Sequence, residues 1–317
     1  MRETRHEPVL FSEVVEWLRP ARADGLIVDA TVGLGGHAEG LLRAWPEAEL
    51  LAIDRDPLAI EKARSRLRRF DGRVRFVTGR YEELIDILER EGIEAVDAVL
   101  ADLGVSSMQI DEPGRGFSFR AEGPLDMRMS SEGVTAADLV NRLDEDEIAR
   151  ILREYGEEPM ARRIARAIVG ARSEEPITTT TRLAEIVRGA RGHGSRGARE
   201  KIDPATLTFQ ALRIATNEEL TGLERFIDDA VGRLVAGGRL AIISFHSLED
   251  RIVKRAFRRL AGECTCPPRL PVCGCGAKEV VRRSKLIGAG EDEVERNPRA
   301  RSAKLRIAEK KGNSESA

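Results

Sequence analysis

A chain of 317 residues is long enough to bury a full core and sets a prior of two domains, and its 33% charged against 4% aromatic residues describe a soluble protein rich in surface ion pairs. No apolar run approaches the ~18 residues of a membrane span, and the opening MRETRHEPVLFSEV carries no hydrophobic signal core. The cysteines (Cys264, Cys266, Cys273, Cys275) crowd into one stretch, unlike a secreted disulfide framework, so a cytoplasmic protein is expected.

The elements follow in chain order. LIVDAT reads as a buried strand and HAEGLLRAW as a helix opened by a glycine turn. LLAIDRD is a second strand, followed by PLAIEKARSRLRRF with Ile60, Ala63 and Leu67 at helical spacing. VRFVTG is a third strand, YEELIDILEREG a helix, and VDAVLADLG a fourth strand. Short apolar strands between amphipathic helices imply βαβ units and a parallel sheet covered on both faces.

The pattern then breaks. VSSMQIDEPGRGFSFRAEGPLDMRMSSEG is rich in glycine and proline and has neither period, the mark of a functional or disordered loop. Helical segments alone follow: TAADLVNRL, EDEIARILREYG, PMARRIARAIVGAR and TRLAEIVRGA. From Pro204 the alternation resumes, with PATLTFQALRIATNEELTGLERFIDDAVGRLV as helix and AGGRLAIISFHS as a turn and buried strand. KEVVRRSKL and SAKLRIAEK are two closing strands, and the end of the chain reads as disordered. The expected organisation is an α/β domain over 1–110 and 205–310, interrupted by a helical insertion over 111–204, with a tail at 311–317.

The formal net charge of −2 hides local asymmetry. From Met160 to Lys201 there are ten Lys/Arg against four Asp/Glu, and from Asp250 to Lys285 ten against three. Two basic stretches on a near-neutral chain suggest a polyanion site, or helix surfaces whose arginines pair with acids elsewhere.

The turn VDATVGLGGHAEG (28–40) places Gly33, Gly35 and Ala38 in a G-x-G-x-x-G/A pattern. That fits a dinucleotide enzyme or another nucleoside-cofactor enzyme, and Asp54, 21 residues after Gly33, suits a ribose in either. Three features favour S-adenosylmethionine over a nicotinamide or flavin. Asp29, four residues before Gly33, ends strand one, where a carboxylate suits a cationic amino-acid group and repels a pyrophosphate. Asp102 ends strand four without an obvious phosphate partner, and LVAGGRLAII has the look of the segment before strand five in such methyltransferases. Any one acid alone would equally serve as a helix cap; three ending successive strands argue for a site.

The set GLGGH (33–37), AIDRDP (52–57), DLGVSS (102–107), RGFSFR (115–120), GPLDMRM (123–129), SFHSLEDRIVK (244–254) and NPRARSAKLR (297–306) strongly resembles one family. It is the bacterial methyltransferase family that modifies the exocyclic N4 amine of a cytidine in 16S ribosomal RNA, at the decoding centre. The resemblance runs from about His6 to Ala308. It implies a Rossmann-like class I methyltransferase domain with an inserted all-helical domain that recognises RNA. It also implies S-adenosylmethionine as cofactor and 16S ribosomal RNA or the small ribosomal subunit as partner, with no membrane. Monomer or homodimer stays open. By motif, Gly35, Gly36 and His37 would contact the cofactor, Asp54 the ribose and Tyr81 the adenine, with Asp102 and Gln109 lining the crevice; Gly33 and Asp29 join them on the argument above.

Amino-methyltransferases often carry an Asp/Asn-Pro-Pro-aromatic turn after strand four. Here that position reads DLGVSS, so the acceptor-holding groups are expected to be Asp102 and Ser106 with His246 and Ser247. His246 has a plainer alternative, orienting its loop. Phe117 and Phe119, set between Arg115 and Arg120, either clamp a flipped base or plug the long loop onto the core. CTCPPRLPVCGCG offers two C-x-C pairs, which suit a zinc site less well than C-x-x-C spacing, and no metal is expected. The rival functions are a dinucleotide oxidoreductase and a non-catalytic RNA-binding protein.

Overall fold

The computed structural model describes residues 8–130, 132–192, 203–264, 266, 274 and 276–312. The chain divides into two compact units: Met1–Gly104 with Thr221–Ala317, and Val105–Leu220.

In the first unit, β1 (Leu26–Asp29), β2 (Glu49–Asp54), β3 (Val74–Thr78), β4 (Val96–Asp102) and β5 (Leu234–Ser244) lie parallel. β8 (Lys304–Lys310) runs antiparallel to β5 and pairs in turn with β6 (Val281–Arg283) and β7 (Ile287–Gly288). The order is β3-β2-β1-β4-β5-β8-β6. The chain therefore works outward from β1 to β3 and restarts at β4 on the other side of β1. That reversal opens a crevice at the carboxyl ends of β1 and β4, where such sheets bind ligands.

Both faces of the sheet are covered, which is why its strands read as near-continuous apolar runs. Val28, Leu51, Ile53, Val99, Ala101 and Ile242 face a core shared with α4 (Leu84–Arg90), α11 (Leu223–Arg233) and α12 (Ser247–Leu260). Ile27, Leu50, Ala52, Ala98, Leu100 and Ile243 face α1 (Phe11–Trp17), α2 (Gly36–Ala44) and α3 (Pro57–Leu67). The Rossmann-like α/β expectation holds. Helix α1 was not legible: it has seven residues and no side-chain N-cap. The glycine turn expected before β5 is instead a bulge inside the strand, where the register passes from Val96↔Leu234 to Ala98↔Arg239. KEVVRRSKL yields only the short β6.

The second unit is helical: α5 (Ser107–Asp111), α6 (Ala136–Arg142), α7 (Glu145–Gly156), α8 (Ala161–Glu174), α9 (Thr180–Arg191) and α10 (Thr206–Asn217). Thr135, Asp144 and Thr179 cap α6, α7 and α9 by accepting a backbone N–H in the first turn. The insertion thus spans 105–220 rather than 111–204. The reason is α10, which buries Phe209, Ala211 and Leu212 in the helical core. Its last residue, Asn217, donates to the Met127 carbonyl at 2.7 Å and accepts from the Met129 N–H at 2.8 Å, pinning the GPLDMRM loop. The expected continuous helix breaks after it, at left-handed Glu218 and Gly222.

Among the described residues no helix is long and apolar enough to cross a membrane. Cys273, Cys275 and the last five residues lie outside the described residues, so the zinc question concerns Cys264 and Cys266 only in part.

Candidate active site

The glycine turn is tied to both neighbouring strands. The Ala30 N–H donates to the Leu100 carbonyl at 2.8 Å and the Val32 N–H to the Ile53 carbonyl at 2.9 Å. Gly35 takes a left-handed conformation (φ +74°) as it enters α2, which glycine adopts without steric cost. At Gly36 a Cβ would lie 2.4 Å from Pro8 Cγ, so no larger residue fits there.

Three carboxylates end β1, β2 and β4. Asp54 Oδ2 accepts the Gly33 N–H at 2.8 Å and Oδ1 the Asp56 N–H at 2.9 Å, locking the turn to β2. A carboxylate has about four acceptor sites, so each Asp54 oxygen keeps one for another donor. Asp29 is 1% exposed and, among the described residues, accepts only a long bond from the Thr31 N–H, 3.3 Å. The Thr31 hydroxyl oxygen in turn accepts the Asp102 N–H at 2.6 Å. Asp102 Oδ1 is covered and has no hydrogen-bond partner among the described residues.

Burial pushes all three acids up. Asp29 rises to about 7, chiefly by desolvation and further by the Asp54 charge, against the Thr31 hydrogen bond. Asp54 rises by desolvation against its two backbone hydrogen bonds. Asp102 is raised well above the carboxylate range by desolvation, then by the charges of Asp29 and Glu249.

Asp29 makes the stability of the cofactor-free protein depend on pH. Asp29 keeps its proton when folded up to about pH 7, yet releases it near 3.8 when unfolded. Between those values the native state holds more protons, so stability falls as pH rises from about 4 to 7 and is flat above. Asp29→Asn is expected to be as stable as the parent near pH 4 and more stable, by a few kcal/mol at most, at pH 7.5. Urea melts across this range would show the difference growing through the window. A pH-independent difference would refute it.

His37, in the first turn of α2, is buried. Its Nε2 lies 2.9 Å from the Val9 carbonyl and its Nδ1 3.7 Å from Asp102 Oδ2. A carbonyl only accepts, so Nε2 carries a hydrogen, and a neutral ring would turn a lone pair toward Asp102. Phe11 stacks on the ring at 6.4 Å between centroids.

His246 caps α12: its Nδ1 accepts the Glu249 N–H at 3.4 Å, and its Nε2 lies 3.1 Å from Glu249 Oε1 but out of line for a hydrogen bond. Glu249, 1% exposed, accepts the Phe245 N–H at 2.9 Å. Both ring nitrogens are turned to Glu249, which fits the orienting role of His246 better than a catalytic one. Glu249 and Thr31 escaped sequence reading. The signal for Glu249 was a glutamate three residues after an N-cap, disguised because the cap is a histidine.

Tyr81 opens a turn after β3 and meets Phe226 edge-on at 5.1 Å. The fold thus gathers Asp29, Gly33, Gly35, Gly36, His37, Asp54 and Asp102 at the strand ends of one unit. Ser106 and Gln109 fall in the helical unit, where they form a reciprocal cap on α5: Ser106 Oγ accepts the Gln109 N–H and Gln109 Oε1 the Ser106 N–H. Phe119 is a plug, edge-on to Phe209 at 4.8 Å, while Phe117 has Arg115 over its ring at 6.0 Å. Of the insertion's arginines, Arg162, Arg163 and Arg166 on α8 are exposed. Arg191 is instead largely covered and paired with the buried Glu158, and Arg196 lies outside the described residues.

A sequence model of the MraW methylase family matches residues 3–311. "Ribosomal RNA small subunit methyltransferase H" of Anaeromyxobacter dehalogenans is 53% identical over 96% of this chain and 98% of its own length. The proteins of the same name from Geobacter sulfurreducens and Trichlorobacter lovleyi are 53% and 51% identical, over 96% and 98% of this chain and 98% and 100% of their own.

Proposed function

Since the chain belongs to the MraW methylase family, we propose that it methylates the exocyclic N4 amine of a cytidine in 16S ribosomal RNA, at the decoding centre, with S-adenosylmethionine as donor. The relatives' names support the small-subunit RNA, and the motif resemblance supports the cytidine. The reading places the enzyme in the cytoplasm, with ribosomal RNA.

One observation carries it: three desolvated carboxylates at the ends of β2, β1 and β4, with Asp102 Oδ1 covered and unpartnered. Such a cluster repels phosphate and suits a cationic amino acid and ribose hydroxyls, so the residues present fit the cofactor. Bound there, S-adenosylmethionine supplies an electrophilic methyl group on a sulfonium. Asp29 would hold the ammonium group and Asp54 the ribose. Gly33, Gly35, Gly36 and His37 would line the amino-acid end, and Tyr81 the adenine.

A cytosine amine is a weak nucleophile because its lone pair is delocalised into the ring. Asp102 would accept one of its N–H groups, raise the density on nitrogen, and take the proton that leaves as the methyl–nitrogen bond forms. The His37 ring would face Asp102 from the first turn of α2. His246 and Glu249 hold the SFHS turn in shape. On the helical unit, Arg162, Arg163 and Arg166 would face phosphates.

Calorimetry with S-adenosylmethionine against NAD, and mass mapping of nucleosides after reaction with small-subunit RNA, test the proposal. Asp54→Ala is expected to weaken the cofactor at least about tenfold, since charge-assisted hydrogen bonds contribute ~1.5–3 kcal/mol. NAD binding, or no methylated cytidine, would overturn the function; unchanged affinity in folded Asp54→Ala would remove Asp54 from the site.

A further inference from the structure

The basic segments that stand out in the sequence are not the densest in the chain. Ala59–Phe76 carries seven Lys/Arg against two Asp/Glu, over α3 and the strand that follows. Some of these cations are internal struts. Arg73 donates to the carbonyls of Leu42, Trp45, Pro46 and Ala48, and Arg75 pairs with Glu49 and Glu91.

The others form a built surface. Glu39, in the first turn of α2, accepts from Arg43 at 2.7 Å, from Arg66 at 2.6 Å, and from Arg69. Three guanidiniums on one carboxylate leave an excess of two positive charges. Glu39 itself is largely covered, whereas Arg43 and Arg69 keep about half of their side chains exposed. Lys62, Arg66 and Arg69 recur at helical spacing and so share one stripe of α3 and its last turn. Lys62, Arg64 and Arg68 are exposed and have no ion pair among the described residues. Arg64 lies over the Phe76 ring at 4.5 Å and Arg69 over Phe70 at 4.9 Å, which restricts both side chains.

We propose that Arg43, Arg66 and Arg69, gathered around Glu39, form with Lys62 on the same stripe of α3 a phosphate-backbone site for single-stranded RNA, built into the methyltransferase unit itself. Guanidinium forks held in fixed orientation with outward N–H groups match phosphate oxygens in charge and geometry. Glu39 fixes the forks, and their surplus charge is what a polyanion neutralises. The site starts two residues beyond His37 on the same helix. This rests on the proposed RNA substrate and adds a contact surface outside the basic insertion.

The test is the triple substitution Lys62→Gln/Arg66→Gln/Arg69→Gln, which leaves the Arg43–Glu39 pair in place. The control removes three cations from the opposite face of the sheet: Arg90→Gln/Arg225→Gln/Arg233→Gln. Binding of a single-stranded fragment of small-subunit RNA is followed by anisotropy from 50 to 200 mM salt. At ~0.7 per phosphate contact, three lost contacts lower the log–log salt slope by about 2, so the parent loses about sixteenfold more affinity over that range. KM for RNA should rise in step, with cofactor affinity and kcat at saturating RNA unchanged.

A parental slope in the triple variant, or an equal drop in the control, overturns the site. Normal RNA binding with no methyl transfer by the parent protein would sink the proposed function and leave the surface standing. A parent that fails to bind RNA would sink both.

Discussion

Asp102→Asn is expected to slow methyl transfer in a single turnover, at saturating cofactor, by about a hundredfold or more. Asp102 ends β4 with one oxygen covered and unpartnered and the other facing His37. An amide keeps the size and one acceptor oxygen but loses the charge that would stabilise a nitrogen becoming positive. Preorganised groups of this kind contribute ~3–4 kcal/mol in other enzymes. Folding should survive, because the substitution removes a charge crowded by Asp29 and Glu249. Cofactor affinity separates the two roles. A near-normal saturated rate with much weaker cofactor binding would make Asp102 a ligand only and leave the proton acceptor to another group.

The second large effect concerns stability. Arg191→Ala is expected to destabilise the helical unit by about 3–5 kcal/mol, because it strands a buried carboxylate. Glu158 has a fully buried side chain, accepts from Arg191 at 2.5 Å and from the Met160 N–H at 2.9 Å. Adding Glu158→Gln should restore much of the loss, since the uncompensated charge is then gone. Urea melts of the single and double variants provide the measurement. Equal stability of parent and single variant would show that the pair is solvated. Reversing Arg162, Arg163 and Arg166 should behave oppositely, leaving stability near normal while RNA binding falls. In sequence these arginines look alike; only their surroundings assign them different work.

Some features needed no coordinates. LIVDAT, LLAIDRD and VDAVLADLG announced buried parallel strands because residues covered on both faces must be apolar at nearly every position. The acids closing those strands were legible for the same reason, as sudden charges at the end of apolar runs. Helix α1 was hidden because its start is fixed from far away: the Leu10 N–H donates to Glu293, 283 residues later. The bulge in β5 was hidden because a glycine pair reads as a turn until a neighbouring strand pairs across it.

Local periodicity and composition encode the alternation of strands and helices, the interruption after β4, the glycine turn and the three terminal carboxylates. Packing between distant segments assigns α10 to the insertion, makes Arg191 the partner of a buried carboxylate, and turns both nitrogens of His246 to Glu249. It also sets the burial of Asp29, Asp54 and Asp102, whose desolvation raises all three above the ordinary carboxylate value. The physical reason is the same throughout. A residue's charge state and hydrogen-bond partners depend on how much water the rest of the chain excludes around it, and that exclusion comes from segments distant in sequence.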